Sequence, residues 1–389
     1  MNLAMTPLER VVEVRAGGGA PQDQAAFTAV GHPFVRAGSL VKLLAGHDET
    51  DLEKLDPKAA AQYGLTLFPT GTVLFAKSGM SATKGHVYRL RRPSYVVNHL
   101  AALVPSAMVD GRYLMYALRE FSPTRLIKDS AYPSIRLADI AEMRIPLPPL
   151  AEQRRIAEIL DRADGLRAKR RAALAQISGM TSVVFTSMLE QCDDLTTGTL
   201  DDVADLRRGP FGGALRKDMF APSGYKVYEQ GHAIRGEFRS GRYFIDEQKF
   251  AAMQSFAVRE GDLIVSCSGT IGRVAVVPPD APPGIINQAL LRVRPRTDLV
   301  TPAFLGQVLT SRAMKAVLSG VAHGTGLQNF PPMEVVRSLA VPIPPLPWQG
   351  ILGARLAAMD RLQGLATTSM RGLDALFASL QHRAFRGEL

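Results

Sequence analysis

Cysteine is scarce: this sequence has it only at Cys192 and Cys267, far apart and never as a Cys-x-x-Cys pair. A disulfide framework is thereby excluded, and the seven scattered histidines form no cluster at metal-ligand spacing, so no zinc site is indicated. This usage fits a reducing cytoplasm. Long apolar runs are missing as well. No stretch reaches the roughly 18 continuous apolar residues that a membrane span needs, and the opening Met1-Asn-Leu-Ala-Met-Thr-Pro-Leu8 lacks a basic segment leading into an apolar one. Nucleotide-binding signatures are also lacking. Gly17-Gly-Gly19 is not followed by Gly-Lys-Ser/Thr and reads as a flexible turn, and no His-Glu-x-x-His pattern occurs.

What is present fits a folded chain of ordinary size. At 389 residues, 46% hydrophobic and 21% charged, the sequence is long and apolar enough for two domains with their own cores; one large domain is compatible with length alone. The formal charge of +10 favours polyanions, a class that includes nucleic acid, acidic membranes and acidic protein subunits.

Self-similarity decides between one domain and two. Leu8-Glu-Arg-Val-Val-Glu-Val-Arg15 is answered by Leu200-Asp-Asp-Val-Ala-Asp-Leu-Arg207. Gly71-Thr-Val-Leu-Phe-Ala-Lys-Ser-Gly79 is answered by Gly261-Asp-Leu-Ile-Val-Ser-Cys-Ser-Gly269, and Ile145-Pro-Leu-Pro-Pro-Leu-Ala-Glu-Gln153 by Val341-Pro-Ile-Pro-Pro-Leu-Pro-Trp-Gln349. The offsets are 192, 190 and 196 residues, so three landmarks recur in order with small insertions between them. Each repeat reads as short β-type runs between Gly, Pro and Asn turns, then a Pro-rich joint, then a long helix, which is a mixed α/β pattern. Val73–Phe75, Leu263–Val265, Arg273–Val277 and Ala289–Val293 are the expected strands. The Pro-x-Pro-Pro joints should stand extended, because a residue before proline avoids the helical region.

The first long helix is expected from Leu150 to Glu190, with a stripe through Ile156, Ile159, Leu160, Ala163, Leu166, Ala173, Ile177, Met180, Val184 and Met188 that Arg170 interrupts. The second, from Pro347 to the end, carries Leu352, Leu356, Met359, Leu362, Met370, Leu373, Leu376 and Leu380. Two such faces bury each other as an antiparallel, coiled-coil-like pair. Some 40 residues at about 1.5 Å each span roughly 60 Å, comparable with one to two turns of DNA. The expected division is 1–149, a first α/β domain; 150–194, a central helix; 195–345, a second α/β domain; and 346–389, a closing helix.

The segment Ile145-Pro-Leu-Pro-Pro-Leu-Ala-Glu-Gln-Arg-Arg-Ile-Ala-Glu-Ile-Leu-Asp161 resembles the central segment of type I restriction-modification specificity (S) subunits. Ser379-Leu-Gln-His-Arg-Ala-Phe-Arg-Gly-Glu-Leu389 is similar to that family's ending, and Arg207-Arg-Gly-Pro-Phe-Gly-Gly-Ala-Leu215 to a common opening of its recognition domains. Pro347-Trp348-Gln349-Gly350 departs from Ala151-Glu152-Gln153-Arg154 at the second joint. The resemblance covers essentially the whole chain. It implies two target recognition domains, each reading one half of a split site in double-stranded DNA, with the helices setting the gap. It also implies two modification (methyltransferase) subunits and restriction subunits as partners in a soluble phage-defence complex. S-adenosylmethionine, ATP and magnesium would then belong to those partners, with no cofactor on this chain.

The residues agree with a non-catalytic reading. Asn329-Phe-Pro-Pro-Met333 has a phenylalanine where the Asn-Pro-Pro-aromatic motif of adenine methyltransferases has none, and without a glycine-rich cofactor loop it reads as a turn before the last strand. DNA contacts call for cations, amides and hydroxyls at phosphates, and for Arg, Lys, Asn and Gln at base edges. The candidates in the first half are Lys77, Ser78, Lys84, His86, Arg89, Arg91 and Arg92. Those in the second are Arg207, Arg208, Arg216, Lys217, Gln230, Arg235, Arg239, Ser268, Thr270, Arg273, Gln328 and Asn329. Each is also readable as a solvated surface group. On the first helix, Arg154, Arg155, Arg162, Arg167 and Arg170, with Lys169 and Arg171, are candidates for partner binding or for DNA between half-sites; an exposed helix face is the alternative. Two rival readings are a stand-alone DNA-binding regulator or scaffold and a fragment of a fused restriction-methyltransferase, the latter needing further segments with cofactor and nuclease motifs.

Overall fold

The structure is a computed structural model that describes residues 4–318 and 330–389, with residues 178, 182, 212 and 217 described by backbone only. The chain forms two compact units, Met1–Leu174 with Ala366–Leu389, and Ala175–Leu365. These cut across the division expected from sequence, because each unit takes part of both long helices. The division into 1–149, 150–194, 195–345 and 346–389 remains a proposal about reading heads and struts.

In the first unit a four-stranded antiparallel sheet runs in the order Val12–Ala16, Leu100–Pro105, Val73–Ala76, Val87–Arg89. Val73–Ala76 is a continuous apolar run because both faces of this sheet are covered. Val73 and Phe75 join a core with the helix Gly111–Glu120 and the long helices, whereas Leu74 and Ala76 join a second core. That second core lies under a five-stranded mixed sheet of short strands in which His32–Val35 runs parallel to Ser94–Val96. The joint is extended as expected: Arg144–Pro146 pairs with Met5–Pro7.

The second unit repeats this plan. Its sheet runs Ala204–Arg208, Leu290–Pro295, Leu263–Ser266, Val274–Val276, again antiparallel throughout. Leu263 and Val265 face the helix side, and Ile264 faces the smaller sheet, where Tyr225–Tyr228 runs parallel to Gly284–Ile286. Val274–Val276 is only half-buried, because it is the sheet's edge. The joint Ala340–Ile343 pairs with Thr196–Thr199. Of the turn expected over Asn329–Met333, Phe330, Pro331 and Pro332 carry no regular structure and lead into a short helix, Met333–Arg337; Asn329 lies outside the described residues.

The long helices span Leu150–Glu190 and Leu346–Ala384. Within the first unit they run antiparallel: Arg155 reaches the Leu389 carbonyl at 2.9 Å, while Arg167, further along, meets Asp374 at 2.7 Å. Ile156, Ala157 and Leu160 bury against Phe377, Ala384 and Phe385. Within the second unit, Phe185 and Met188 share a core with Leu352 and Leu356. The expected stripes are only partly buried. Leu166 and Leu376 are exposed in the first unit, as are Met180 and Leu362 in the second, whereas Phe185, Phe377 and Phe385 take core places that the stripes omit. An 18-residue window of the central helix is apolar enough, at a mean hydropathy of 1.4, to cross a membrane by length and composition. Phe185 and Met188 of the same helix are buried in the second unit's core.

One device recurs at both joints. Gln153 is buried; its Oε1 accepts the Asp110 N–H at 2.9 Å, and its Nε2 donates to the carbonyls of Met108 at 3.1 Å and Pro148 at 2.9 Å. Gln349 does the same with the Thr301 N–H at 2.7 Å and the carbonyls of Leu299 and Pro344, both at 2.8 Å. Asp110 and Thr301 are the N-caps of the helices Gly111–Glu120 and Pro302–Thr310. A single carboxamide thus fastens the long helix, the proline joint and the domain helix in each unit.

Candidate DNA interface

In both units one end of the four-stranded sheet gathers polar loops. In the first, Ala76 stands opposite Leu100, Ala16 opposite Ala101, and Phe75 opposite Val87. The chain therefore leaves the sheet at Gly17 and Lys77 and re-enters after His86 and His99, all at that end. Gly17 is required there, since any Cβ would run into the carbonyls of Val96 and Val97. The Lys77 N–H donates to the His99 carbonyl at 2.9 Å, and the Lys77 carbonyl accepts the Ile135 N–H at 2.7 Å. Ser78 Oγ and His99 Nδ1 lie 2.7 Å apart. Lys84 is exposed on the turn Ala82–Lys84, which ends at left-handed Gly85. His86 is half-buried; burial, then the nearby Lys84 charge, hold its imidazole below the ordinary histidine pKa and so favour the neutral ring. Hydroxyl, imidazole and ammonium groups thus share one sheet end, a set able to meet phosphates and base edges.

Arg89, Arg91 and Arg92 do not belong to this group. Arg89 stands opposite Val73, at the other end of the sheet. The backbone N–H groups of Arg91 and Arg92 hold the buried Glu49 carboxylate at 2.8 and 2.9 Å, and Tyr88 donates to it at 2.9 Å. The Arg92 side chain is paired with Asp48 at 3.3 Å.

The second unit builds the equivalent end from Gly209, Cys267, Arg273 and Ala289. Gly209 is pressed against the Asn287 carbonyl as Gly17 is against Val96. Cys267 donates its N–H to Ala289 at 2.8 Å, and burial pushes its thiol pKa up to about 12. Buried Ser266 ties the loop, donating to the Thr270 carbonyl at 2.5 Å and accepting the Arg273 N–H at 3.0 Å. Ser268, Thr270 and Arg273 remain exposed, and Ser268 Oγ reaches Gln230 Oε1 at 3.4 Å. Gln230 opens the helix Gln230–Arg235 and, with Arg235 and Arg242, lines a cavity of about 370 Å³. Arg207 lies over the Phe256 ring at 5.2 Å, and Arg208 over Phe330 at 4.9 Å.

Other candidates are committed elsewhere. Arg239 forms a two-pronged pair with Asp280 at 2.8 and 2.6 Å; Arg216 and Arg235 sit 3.6 Å from Asp218 and Glu237. Lys217 begins a short turn and is described by backbone only, while Gln328 and Asn329 lie outside the described residues. On the long helix Arg154 is exposed, Arg155 pairs with Glu152 at 2.7 Å, and Arg162 pairs with Glu158 at 2.5 Å. Arg167 joins Asp164 and Asp374 and lies 4.3 Å over Phe377, so it serves helix pairing. Arg170 keeps a buried Nε with no hydrogen-bond partner. Sequence reasoning missed His99, placed only by strand register. It also missed two exposed loop aromatics: Tyr132, next to the Pro133 carbonyl that accepts the Gly79 N–H at 2.9 Å, and Phe211, which follows Gly209 and Pro210.

The type I restriction modification DNA specificity domain matches twice, at residues 4–176 and 193–369. This chain belongs to that family. It is 23% identical over 278 residues to the MjaVIII specificity subunit of Methanocaldococcus jannaschii, covering 66% of this chain and 64% of the relative. It is 24% identical over 277 residues to the EcoBI specificity subunit of Escherichia coli, covering 63% and 58%. These alignments therefore span somewhat under two thirds of the relatives' own length. In fold it is similar to the S subunit of a type I restriction-modification system from M. genitalium, with a TM-score of 0.56 at 12% identity, covering 99% of this chain and 96% of the other. A chain from a structure of type I system assembly gives a TM-score of 0.61 at 16% identity, covering 100% and 98%. Among the described residues no group of three or more potential ligands is arranged for a metal.

Proposed function

We propose that this chain is the non-catalytic sequence-reading subunit of a type I restriction-modification complex, each specificity domain reading one half of a bipartite site in double-stranded DNA. The observation that carries this reading is the repetition of the polar sheet end in two copies of the family domain, built on the same strand order. The Lys77–His86 loop with His99, and the Ser268–Arg273 loop with Gln230, are the assigned reading surfaces, and the long helices set the spacer. Two methyltransferase subunits and the restriction subunits dock on the chain and bring S-adenosylmethionine, ATP and magnesium; the complex works in the cytoplasm in phage defence.

Apolar side chains left exposed on the long helices support partner docking over a stand-alone regulator: Leu166 and Leu376 in the first unit, Val183, Ile351 and Leu365 in the second. The test is to map methylated adenines in the source genome with and without this gene, then with residues 1–149 exchanged for another subunit's first domain. A split motif should vanish on deletion, and only one half of it should change on exchange. Methylation by the purified chain alone, or a motif unaffected by deletion, overturns the reading.

A further inference from the structure

In each unit a cleft opens where the fourth sheet strand, the domain helix and a long helix meet. It holds about 300 Å³ in the first unit and about 260 Å³ in the second. The two clefts are equivalent, because the Gln153 and Gln349 clamps set the same frame in both units. Counting from those clamps and their N-caps, Arg112, Tyr116 and Arg119 occupy the places of Ala303, Gln307 and Thr310, and Asp161 and Asp164 those of Ala357 and Asp360; strand register puts Arg89, opposite Val73, in the place of Val276, opposite Leu263. All of these line their clefts.

The chemistry nevertheless differs. Arg89, Arg91, Arg112, Arg119 and Arg171 line the first cleft against only Asp161 and Asp164, whereas the second has Asp360 and no cation in its lining. Arg112 meets Asp110 at 3.4 Å and Asp161 at 3.3 Å, and Arg119 meets Asp164 at 3.3 Å, but Arg171 is 3.8 Å from Asp164, and no described carboxylate lies within 4.0 Å of Arg89 or Arg91. Neighbouring guanidiniums repel, and the same fold closes in the second unit without any of them, so folding does not require this cluster. An oxyanion partner supplies the missing charge. Arg89 marks the sheet end away from the Ser78 and His99 loops, so a ligand here approaches from the side away from the read duplex.

We propose that the arginine cleft of the first unit receives an acidic surface segment of one methyltransferase subunit, while the second unit docks its copy without this electrostatic contact. The proposal rests on the functional reading above and makes the two docking sites chemically unequal. Charge-driven contacts weaken with salt, so the partner on the first unit should leave first.

The test mixes the full chain with the type I methyltransferase subunit of its source organism and follows stoichiometry by native mass spectrometry and sedimentation at rising salt. The variants are Arg171→Glu with Arg119→Gln, and the milder Arg171→Gln alone; duplex binding by the chain is measured in parallel. The expected result is two partners on the unaltered chain, one on the double variant with at least a tenfold loss at the weakened site, and an intermediate loss for Arg171→Gln. Retention of both partners with unchanged salt dependence overturns the proposal. So does an equal fall in duplex binding, which would make the cleft a DNA phosphate contact. If the unaltered chain binds no methyltransferase subunit at any salt, the functional reading itself fails and this proposal falls with it.

Discussion

Lys226 is fully buried on the strand Tyr225–Tyr228, and its ammonium donates to the Phe238 carbonyl and lies 4.9 Å over the Tyr228 ring. Burial pulls its pKa below the ordinary 10.5. Between the folded pKa and 10.5 the unfolded chain then binds more protons than the folded one, so stability rises with pH across that alkaline window. Lys226→Met should abolish this slope while adding a constant offset from the unpaired carbonyl, of about 1–3 kcal/mol. Urea unfolding of both proteins at several alkaline pH values checks it; parallel curves would show that the amine is not desolvated. Residue-scale placement also sorts the cations. Arg167 and Arg239 have two-pronged carboxylate partners, while Arg273 is exposed at the end of the Ser268–Arg273 loop.

At the scale of elements, the two glutamine clamps explain why a proline joint can launch a 41-residue helix in a fixed direction. Pro148 and Pro344 leave carbonyls that no strand pairs with, and Gln153 and Gln349 satisfy them while holding an N-cap amide. Gln153→Ala should therefore destabilise the first unit by about 1–3 kcal/mol, since it leaves the buried Pro148 carbonyl, and the half-buried Asp110 N–H and Met108 carbonyl, without their protein partner. Chemical denaturation should show it, with the same loss for Gln349→Ala in the second unit. A change below about 0.5 kcal/mol would mean that the clamp is dispensable. The sequence showed both glutamines as repeat landmarks but not their task, because the amide and carbonyls they reach lie up to about 50 residues away in sequence.

At the scale of the molecule, the proposed function makes the DNA spacer depend on the length of the two long helices, each of which contributes to both units. Inserting seven residues between 174 and 175 and seven between 365 and 366 adds about 10 Å to each helix. Under the proposed function the spacer should grow by about three base pairs at about 3.4 Å each, with both half-sites unchanged. Sequencing the methylated motif made by the reconstituted complex measures this directly. An unchanged spacer would remove the helices from the measuring role.

The repeat, the paired helices and the extended joints were legible in the sequence because they rest on local rules: period, proline geometry and glycine turns act on near neighbours. Buried strands such as Val73–Ala76 were legible for the same reason. Tertiary structure alone decided which polar residues stand together. Strand register brings His99 to Ser78 and carries Arg89 to the far end of the sheet, and a register is set by pairing across the fold. It likewise decided which apolar side chains of the long helices are buried, since Phe377 and Phe385 enter a core made by distant strands while Leu376 faces outward. Local chemistry names the groups a chain possesses; only the closing of long-range contacts determines which of them meet and which stay in water.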